Sequence, residues 1–219
     1  MLATDAGLAL RLVRGLTAAG RRRGWRWVEY HPKVMLQIHR FATRDAEAIV
    51  SGIRTVSADA DLLVDVGAGT GAIAAAWKRR GHRAIACERS AVGRLAARLQ
   101  GVPCVPFELA NDPPSNLPNQ ADIALCLEVA EHVPASLAEQ LVAFLANLAP
   151  IAIFSAAIPG QGGQEHVNEQ PPEYWTRRFQ AVGFAEDLER SSQLRAAFER
   201  FGVQAPWYVK NTRVFRQDR

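Results

Sequence analysis

An acidic residue and three alternating glycines form the clearest chemical signal in this sequence. The stretch VDVGAGTG, residues 64–71, places Asp65 near the end of an apolar run and Gly67, Gly69 and Gly71 just before an Ala-rich segment. Glycines in a turn between a strand and a helix let the backbone bend sharply, and they let a ligand lie against the main chain. The pattern therefore indicates a nucleoside-type ligand.

The spacing of these glycines separates two kinds of ligand. A nicotinamide dinucleotide site favours Gly-x-Gly-x-x-Gly, whose last spacing admits a pyrophosphate at the helix N-terminus. Here the glycines alternate, and Asp65 would repel a pyrophosphate but attract an ammonium group. The stretch resembles motif I of the class I S-adenosylmethionine-dependent methyltransferases. The resemblance implies cofactor contacts from Asp65, Gly67, Ala68, Gly69 and Gly71.

Two further acids stand at the ends of strand-like runs. Glu88 ends the second run, where its two acceptor oxygens can bind both hydroxyls of a ribose. Glu108 ends the third run and can accept a hydrogen bond from the exocyclic amine of adenine, a role for which Asn111 and Asp112 are alternatives. The remaining candidate cofactor contacts flank these acids or end the fourth run: Arg89, Leu109, Leu127 and Glu128.

The segment LEVAEHVP, residues 127–134, suggests a metal site or a catalytic base. If it forms a turn that leads into a helix, Glu128, Glu131 and His132 project to one side. Such ligands suit a divalent cation such as Mg²⁺ or Mn²⁺, and the imidazole favours Mn²⁺. His166, in a glycine-rich loop after the fifth run, offers a fourth ligand. In the alternative interpretation, no metal is bound. Glu128 then packs near the cofactor, Glu131 is an ordinary helix acid, and His132 works alone as a base or hydrogen-bond donor.

Together with Asp122, this segment resembles the Asp-x-x-x-x-x-Glu-x-x-Glu-His-x-Pro segment of many class I methyltransferases, a likeness that extends from about residue 60 to about residue 185. The Glu-x-x-Glu-His part is also similar to ubiquinone-pathway O-methyltransferases and to metal-dependent small-RNA 3′-terminal 2′-O-methyltransferases. In the RNA enzymes a histidine corresponding to His166 completes the metal site. The loop HVNEQPP departs from those enzymes, so RNA is not expected as a substrate. Residues 166–175 resemble a group of bacterial methyltransferases of undefined substrate.

The candidate base and metal ligands favour a hydroxyl group as the methyl acceptor. A hydroxyl is poorly nucleophilic at neutral pH, so a histidine base with a pKa of about 6.5, or a cation that lowers the hydroxyl pKa, is useful. We therefore expect O-methylation of a small-molecule or sugar hydroxyl, with His132 and His166 as candidate catalytic residues. Asn168 and Gln170 are expected to bind substrate hydroxyls. The alternatives are an NAD(P)-dependent oxidoreductase and a non-catalytic cofactor-binding protein.

The elements that position these residues alternate along the chain. Strand-like and helical segments alternate after the glycine turn, which predicts an α/β, Rossmann-like, mainly parallel sheet with helices on both faces. The third strand is predicted over Val102–Leu109 and the last over Tyr208–Phe215. A helical cap over residues 1–57 is predicted before a methyltransferase domain over residues 58–219. Apolar residues at helical spacing indicate the cap: Leu8, Leu12, Leu16, Ile38, Ala42, Ala46, Ile49 and Ile53.

Composition narrows the class of protein. The chain has 219 residues, of which 48% are hydrophobic, enough for one sizeable core. The net charge of +4 comes from scattered arginines, and the basic run over residues 21–26 is typical of a solvated helix end, so nucleic acid is not expected as a partner. The three cysteines are expected to be reduced residues of the core: Cys87, Cys104 and Cys126. No secretory signal or membrane span is predicted, which favours a cytoplasmic protein, and the oligomeric state stays open.

Overall fold

The computed structural model describes residues 32–109, 117–118 and 120–218, with side chains from residue 39 onward. Within these residues the chain forms a seven-stranded sheet in the order β3-β2-β1-β4-β5-β7-β6. The strands are β1 (Leu62–Val66), β2 (Arg83–Glu88), β3 (Cys104–Pro106), β4 (Ile123–Leu127), β5 (Ile151–Ser155), β6 (Phe184–Glu186) and β7 (Arg213–Gln217). The helices are α1 (Pro32–Val56), α2 (Ala72–Arg79), α3 (Ala91–Leu99), α4 (Ala138–Leu148), α5 (Pro172–Ala181), α6 (Leu188–Phe201) and α7 (Pro206–Asn211).

The first five strands are parallel, and β7 alone among the described strands runs against both of its neighbours. Strands β1 and β4 are buried along their whole length because helices cover both faces of the sheet. Successive residues of β1 point to opposite layers: Leu63 packs in the core that contains Trp77 and Phe198, whereas Val64 packs with Leu141 on the other side. The predicted Rossmann-like α/β fold is confirmed.

The helix α1 lies on one face of the sheet, against α2 and α6. Its predicted apolar positions Ala46, Ile49 and Ile53 are fully buried there. Gly52 allows the close approach of α6, because a Cβ at this position would lie 2.5 Å from the ring of Phe198. The division of the chain into a cap and a domain stays a prediction. The earlier cap positions Leu8, Leu12 and Leu16, and the basic run over residues 21–26, lie outside the described residues.

Two strand predictions differ from the structure. The third strand is confined to Cys104–Pro106 at the edge of the sheet, and one further backbone hydrogen bond joins the N–H of Phe107 to the carbonyl of Glu88. The expected last strand over Tyr208–Phe215 is instead the helix α7 followed by β7. Pro206 takes the first helical position, where its missing N–H costs nothing, and the Thr212 hydroxyl donates to the carbonyl of Tyr208 where the helix ends. The short strand β6 was not predicted.

The three cysteines are free and buried, as expected for core residues. Among the described residues, no helix combines the length and the apolar character needed to cross a bilayer.

Candidate functional site

A cavity of about 630 Å³ lies at the carboxyl ends of β1, β2 and β4. Its volume is in the usual range for small-molecule sites, and the carboxyl edge of a parallel sheet is where such sites form. Most of the residues that the sequence nominates line this cavity: Asp65, Gly67, Ala68, Gly69, Glu88, Arg89, Glu108, Leu109, Leu127, Glu128, Glu131, His132 and His166.

The glycine turn forms the floor of the cavity. Gly67, Gly69 and Gly71 all have left-handed backbone conformations, with φ angles of 72°, 56° and 74°. A Cβ at Gly67 would lie 2.5 Å from the side chain of Val129, and one at Gly71 would lie 2.7 Å from the Cβ of Ala97. The turn therefore needs glycine for both its backbone angles and its packing. Gly71 itself precedes α2 and, unlike Gly67 and Gly69, does not line the cavity.

Glu88 supports the glycine turn from the side. Its carboxylate is buried, and its two oxygens accept the backbone N–H groups of Gly69 at 2.8 Å and Ser90 at 2.6 Å. A Cβ at Gly93 would lie 2.5 Å from the carbonyl oxygen of Gly69 and 2.8 Å from Cγ of Glu88. Since each carboxylate oxygen accepts more than one hydrogen bond, the predicted contact with ribose hydroxyls is compatible with this arrangement and stays a prediction.

Asp65 is a second buried carboxyl group beside Glu88. Burial and the nearby charge of Glu88 raise its pKa to about 7, although a hydrogen bond from the backbone of Ala74 acts in the opposite direction. Two carboxyl groups so close together in a poorly solvated place favour a cationic ligand, because a positive charge would stabilise both ionised forms.

Arg89 and Glu108 occupy a more open part of the cavity, where their nearest charged atoms are 3.9 Å apart. Both side chains are about half exposed. Phe107, which precedes Glu108, stacks on Phe144 with 4.5 Å between ring centres and gives this region an apolar wall. Its size and lining suit an aromatic base, and the adenine contact of Glu108 stays a prediction. The alternatives Asn111 and Asp112 lie outside the described residues.

Glu128 directly follows β4 and has a left-handed backbone, with φ 54°, which is uncommon for a residue other than glycine. Its N–H donates to the carbonyl and the hydroxyl of Ser155. Its carboxylate accepts the side-chain amide of Gln161 at 2.9 Å, and Asn211 donates to the Gln161 carbonyl oxygen at 2.8 Å. Burial raises the pKa of the Glu128 carboxyl group. Backbone strain of this kind is frequent at functional sites.

Glu131, His132 and His166 come together on the same side of the cavity. One ligand atom from each residue lies within 4.8 Å of the others. The imidazole rings of His132 and His166 meet edge to face with 4.9 Å between their centres, and Nε2 of His166 is 3.9 Å from Oε1 of Glu131. The structure does not place Glu128 in this group. The predicted four-residue set is therefore reduced to three, because the backbone of Glu128 turns its carboxylate toward Gln161.

The hydrogen-bond partner of each imidazole indicates which of its two ring nitrogens carries the proton. Nδ1 of His132 lies 3.2 Å from the carbonyl oxygen of Glu165, and Nδ1 of His166 lies 2.8 Å from Glu169. A carbonyl or a carboxylate oxygen can only accept, so each Nδ1 carries a proton and each Nε2 is a free acceptor when the ring is neutral. Burial lowers the pKa of His132, which favours its neutral form.

The loop between β5 and α5 is tied to the site by backbone hydrogen bonds. The carbonyl of Glu131 accepts the N–H groups of Val167 and Asn168. Asn168 is buried and accepts from Gln170, and neither residue lines the cavity. The expectation that these two amides bind substrate hydroxyls is therefore wrong in this conformation, because their side chains pair with each other instead.

Comparison with known proteins agrees with this geometry. Residues 64–150 match a family model described as a methyltransferase domain. No curated protein matches the chain at a significant level. The sugar N-methyltransferase KedS8 from Streptoalloteichus sp ATCC 53650 has a similar structure, with TM-score 0.59 and 16% identity, over 82% of this chain and 88% of that chain. Magnesium protoporphyrin IX methyltransferase from Synechocystis PCC 6803, solved with bound SAH, has TM-score 0.57 and 17% identity, over 94% and 97% of the two chains.

Residues 64–150 therefore match a methyltransferase domain, and the described chain shares the fold of solved methyltransferases. These matches support neither of the two alternatives, the nicotinamide-dependent oxidoreductase and the non-catalytic binding protein. The cavity of this methyltransferase domain fits the cofactor on two independent observations. The glycine turn is packed so closely that a Cβ at Gly67 or Gly71 would overlap a neighbouring side chain, and Asp65 and Glu88 form a buried pair of carboxyl groups whose ionised forms a positive charge of S-adenosylmethionine would stabilise.

Several lining residues of the methyltransferase domain were not identified from the sequence. Phe41 lines the cavity from α1, which His39 anchors to Thr70 of the glycine turn at 2.9 Å. Gln161 lines it from the loop after β5, and Trp207 and Tyr208 line it from α7. The aromatic string WYVKNT, residues 207–212, is the sequence feature that could have pointed to the last two.

Proposed function

We propose that this protein is an S-adenosylmethionine-dependent O-methyltransferase that acts on a small-molecule or sugar hydroxyl. The observation that carries the proposal is the group formed by Glu131, His132 and His166. It borders the same cavity as the glycine turn, and in the neutral rings the Nδ1 partners leave each Nε2 atom as the acceptor. An amine or a carbon acceptor would need such proton acceptors less than a hydroxyl does.

The chain's own residues would align the acceptor and remove its proton. His132 is proposed as the base, because burial lowers its pKa and favours its neutral form, which can accept a proton. His166 is held by Glu169, which orients its ring toward Glu131. The cofactor, when bound, supplies an electrophilic methyl group on its sulfonium. Loop residues 161–167 line the cavity and would limit the access of water to the reacting hydroxyl.

We infer that Glu131, His132 and His166 can also hold a divalent cation, Mg²⁺ or Mn²⁺. Glu131 is 1% exposed, and its Oε2 atom has no hydrogen-bond partner among the described residues. A buried carboxylate oxygen without a partner is costly, and a cation would compensate for it. The Nδ1–H bonds of the two histidines to a carbonyl and to a carboxylate are the outer contacts that metal-binding histidines usually have. A cation there would lower the pKa of the acceptor hydroxyl.

The test combines a binding measurement with a transfer assay. Calorimetry with S-adenosylhomocysteine and, separately, with reduced nicotinamide dinucleotide should show binding of the first alone. Incubation of a cell extract with methyl-labelled S-adenosylmethionine should then yield a labelled product whose methyl group sits on oxygen, by mass spectrometry. Binding of the dinucleotide without binding of S-adenosylhomocysteine would refute the methyltransferase proposal. A product methylated on nitrogen or carbon would refute the O-methylation part.

A further inference from the structure

One end of the cavity combines aromatic rings with a carboxylate. Phe41 comes from α1, and Trp207 and Tyr208 come from α7. The rings of Phe41 and Trp207 meet edge to face with 5.5 Å between their centres, and those of Trp207 and Tyr208 are 6.2 Å apart. The Glu128 carboxylate lines the same cavity, and Glu128 is near enough to Tyr208 that its charge adds to burial in raising the pKa of that phenol. Aromatic faces beside a carboxylate are the usual surroundings of a bound ammonium group.

The hydrogen-bonding side chains around Glu128 are neutral, and one titratable neighbour is His166. Gln161 and Asn211 are neutral amides, and Glu128 forms no ion pair with any lysine or arginine of the described residues. The nearby cation Arg44 lies over the ring of Phe41 at 5.1 Å, but it pairs through two hydrogen bonds with Asp45. The charge of Arg44 is thus already compensated on α1.

The ionisable side chains that line the cavity are predominantly acidic, although burial raises the pKa of Asp65 to about 7 and that of Glu131 to about 8. Arg89 is the one arginine among the described lining residues, no described lysine lines the cavity, and Arg89 faces Glu108. The acids are Asp65, Glu88, Glu108, Glu128, Glu131 and Glu165. A cavity of this kind raises the local concentration of cations and lowers that of anions. Phosphorylated and carboxylated acceptors are accordingly disfavoured.

We propose that the end of the cavity formed by Glu128, Phe41, Trp207 and Tyr208 binds an ammonium group of the methyl acceptor. The inference rests on the proposed function and adds the substrate class: a hydroxyl compound that also carries an amine or a quaternary ammonium. The ammonium of the cofactor has a separate expected position, beside Asp65 and the glycine turn. The acceptor hydroxyl would then lie toward His132 and His166, which line the same cavity.

The experiment compares choline with 3,3-dimethylbutan-1-ol, which has the same shape and hydroxyl but a carbon in place of the charged nitrogen. Each compound is titrated into protein saturated with S-adenosylhomocysteine, and the indole N–H resonance of Trp207 is followed by NMR. Its assignment comes from its loss in Trp207→Phe. We expect choline to bind roughly tenfold more tightly than the neutral alcohol, and Glu128→Gln to remove this preference. Glu139→Gln, an exposed acid on α4 with the same change in charge, should retain it.

Equal affinity of the two compounds, or no shift of the Trp207 resonance with choline, would overturn the proposal. In the ligand-free protein, displacement of bound choline by added S-adenosylhomocysteine would also overturn it, since the ammonium site would then belong to the cofactor. The resonance of the buried Trp77 verifies that Glu128→Gln stays folded. If S-adenosylhomocysteine does not bind at all, the proposed function fails separately, and the choline preference is then decided in the ligand-free protein.

Discussion

His166 donates its Nδ1 proton to Glu169 over 2.8 Å, and the same carboxylate also organises the loop around that histidine. One oxygen of Glu169 accepts the N–H of Gly160 at 2.9 Å, and the other accepts the N–H of Gly162 at 2.8 Å. The hydrogen bond with His166 lowers the pKa of Glu169 below its ordinary value. One side chain thus fixes both the course of the loop and the tautomer of a candidate catalytic residue.

Glu169→Gln should slow methyl transfer by roughly 10- to 100-fold, because an amide no longer holds the ring and the loop together. The affinity for S-adenosylhomocysteine should change little, since Glu169 does not line the cavity. Steady-state rates and calorimetry on the variant measure the two effects. Glu173→Gln, at an exposed position in the first turn of α5, is the matched control and should behave like the wild type. A wild-type rate in Glu169→Gln would contradict the positioning role.

Gly163→Ala should impair transfer through His166. A Cβ at Gly163 would lie 2.1 Å from Nε2 of that ring, so the imidazole or the loop must move. We expect a clear loss of turnover, with S-adenosylhomocysteine affinity retained, in a rate and calorimetry comparison. If the double variant Gly163→Ala/His166→Ala is no slower than Gly163→Ala, the two changes act on the same group; strictly multiplicative losses would count against this explanation.

Gly93→Ala should weaken cofactor binding. The added Cβ would press on the carbonyl oxygen of Gly69 and on Glu88, and it would displace the glycine turn. We expect at least a roughly tenfold rise in the dissociation constant of S-adenosylhomocysteine, which corresponds to about 1.4 kcal/mol. Gly101→Ala is the control: its φ of +76° makes alanine costly by about 1–2 kcal/mol of stability, but its Cβ would meet no atom within 4 Å. Its affinity should therefore equal that of the wild type.

The raised pKa of Asp65 predicts a pH dependence of stability. The folded protein holds this proton up to about pH 7, whereas the unfolded chain releases it near 3.8. The stabilisation is therefore fully present below the unfolded pKa and is lost as the pH rises through the folded value. Thermal unfolding of the ligand-free protein should show stability falling over this range, and Asp65→Asn should flatten the slope. An unchanged slope in Asp65→Asn would show that another group is responsible.

Removal of a cation should abolish turnover and spare S-adenosylhomocysteine binding, if Glu131, His132 and His166 hold a metal. Glu131→Gln should then mimic the chelator, because it keeps the shape and removes a ligand charge. Added Mn²⁺ or Mg²⁺ should restore the chelated wild type but not the variant. Full activity of thoroughly demetallated protein would exclude the metal. In that case His132 acts alone as base, and the rate should fall in acid, below the ordinary pKa of histidine, because burial lowers that of His132.

The sequence was sufficient to predict the parts of the fold and site in which the chemically important residues also determine the local structure. Alternating glycines after a buried strand predicted the turn at Gly67, Gly69 and Gly71, and alternating elements predicted the parallel part of the sheet. The position of Glu128 was not predictable from helical spacing, because its left-handed backbone comes before the short 3₁₀ turn over Ala130–His132. Glu128 and Glu131 therefore do not follow one another along a helix.

Contacts between distant parts of the chain could not be predicted from local sequence patterns either. Asn211 donates toward Glu128 across 83 positions of sequence. The antiparallel pairing of β7 with β5 and the packing of α7 against α6 position the end of α7 near Glu128. The apolar, aromatic string at Trp207 and Tyr208 is typical of a strand, but Pro206 and the packing of α7 against α6 favour a helix.

The expected contacts for the cofactor lie mainly on residues 65–109, whereas most of the residues proposed to meet the acceptor lie on residues 128–211. Mutations in the loop after β5 and in α7 can therefore diversify the choice of acceptor during evolution while the shared methyl-donor half is conserved. A directed-evolution library restricted to Gln161, Trp207 and Tyr208 should accordingly recruit new acceptors from one ancestral enzyme.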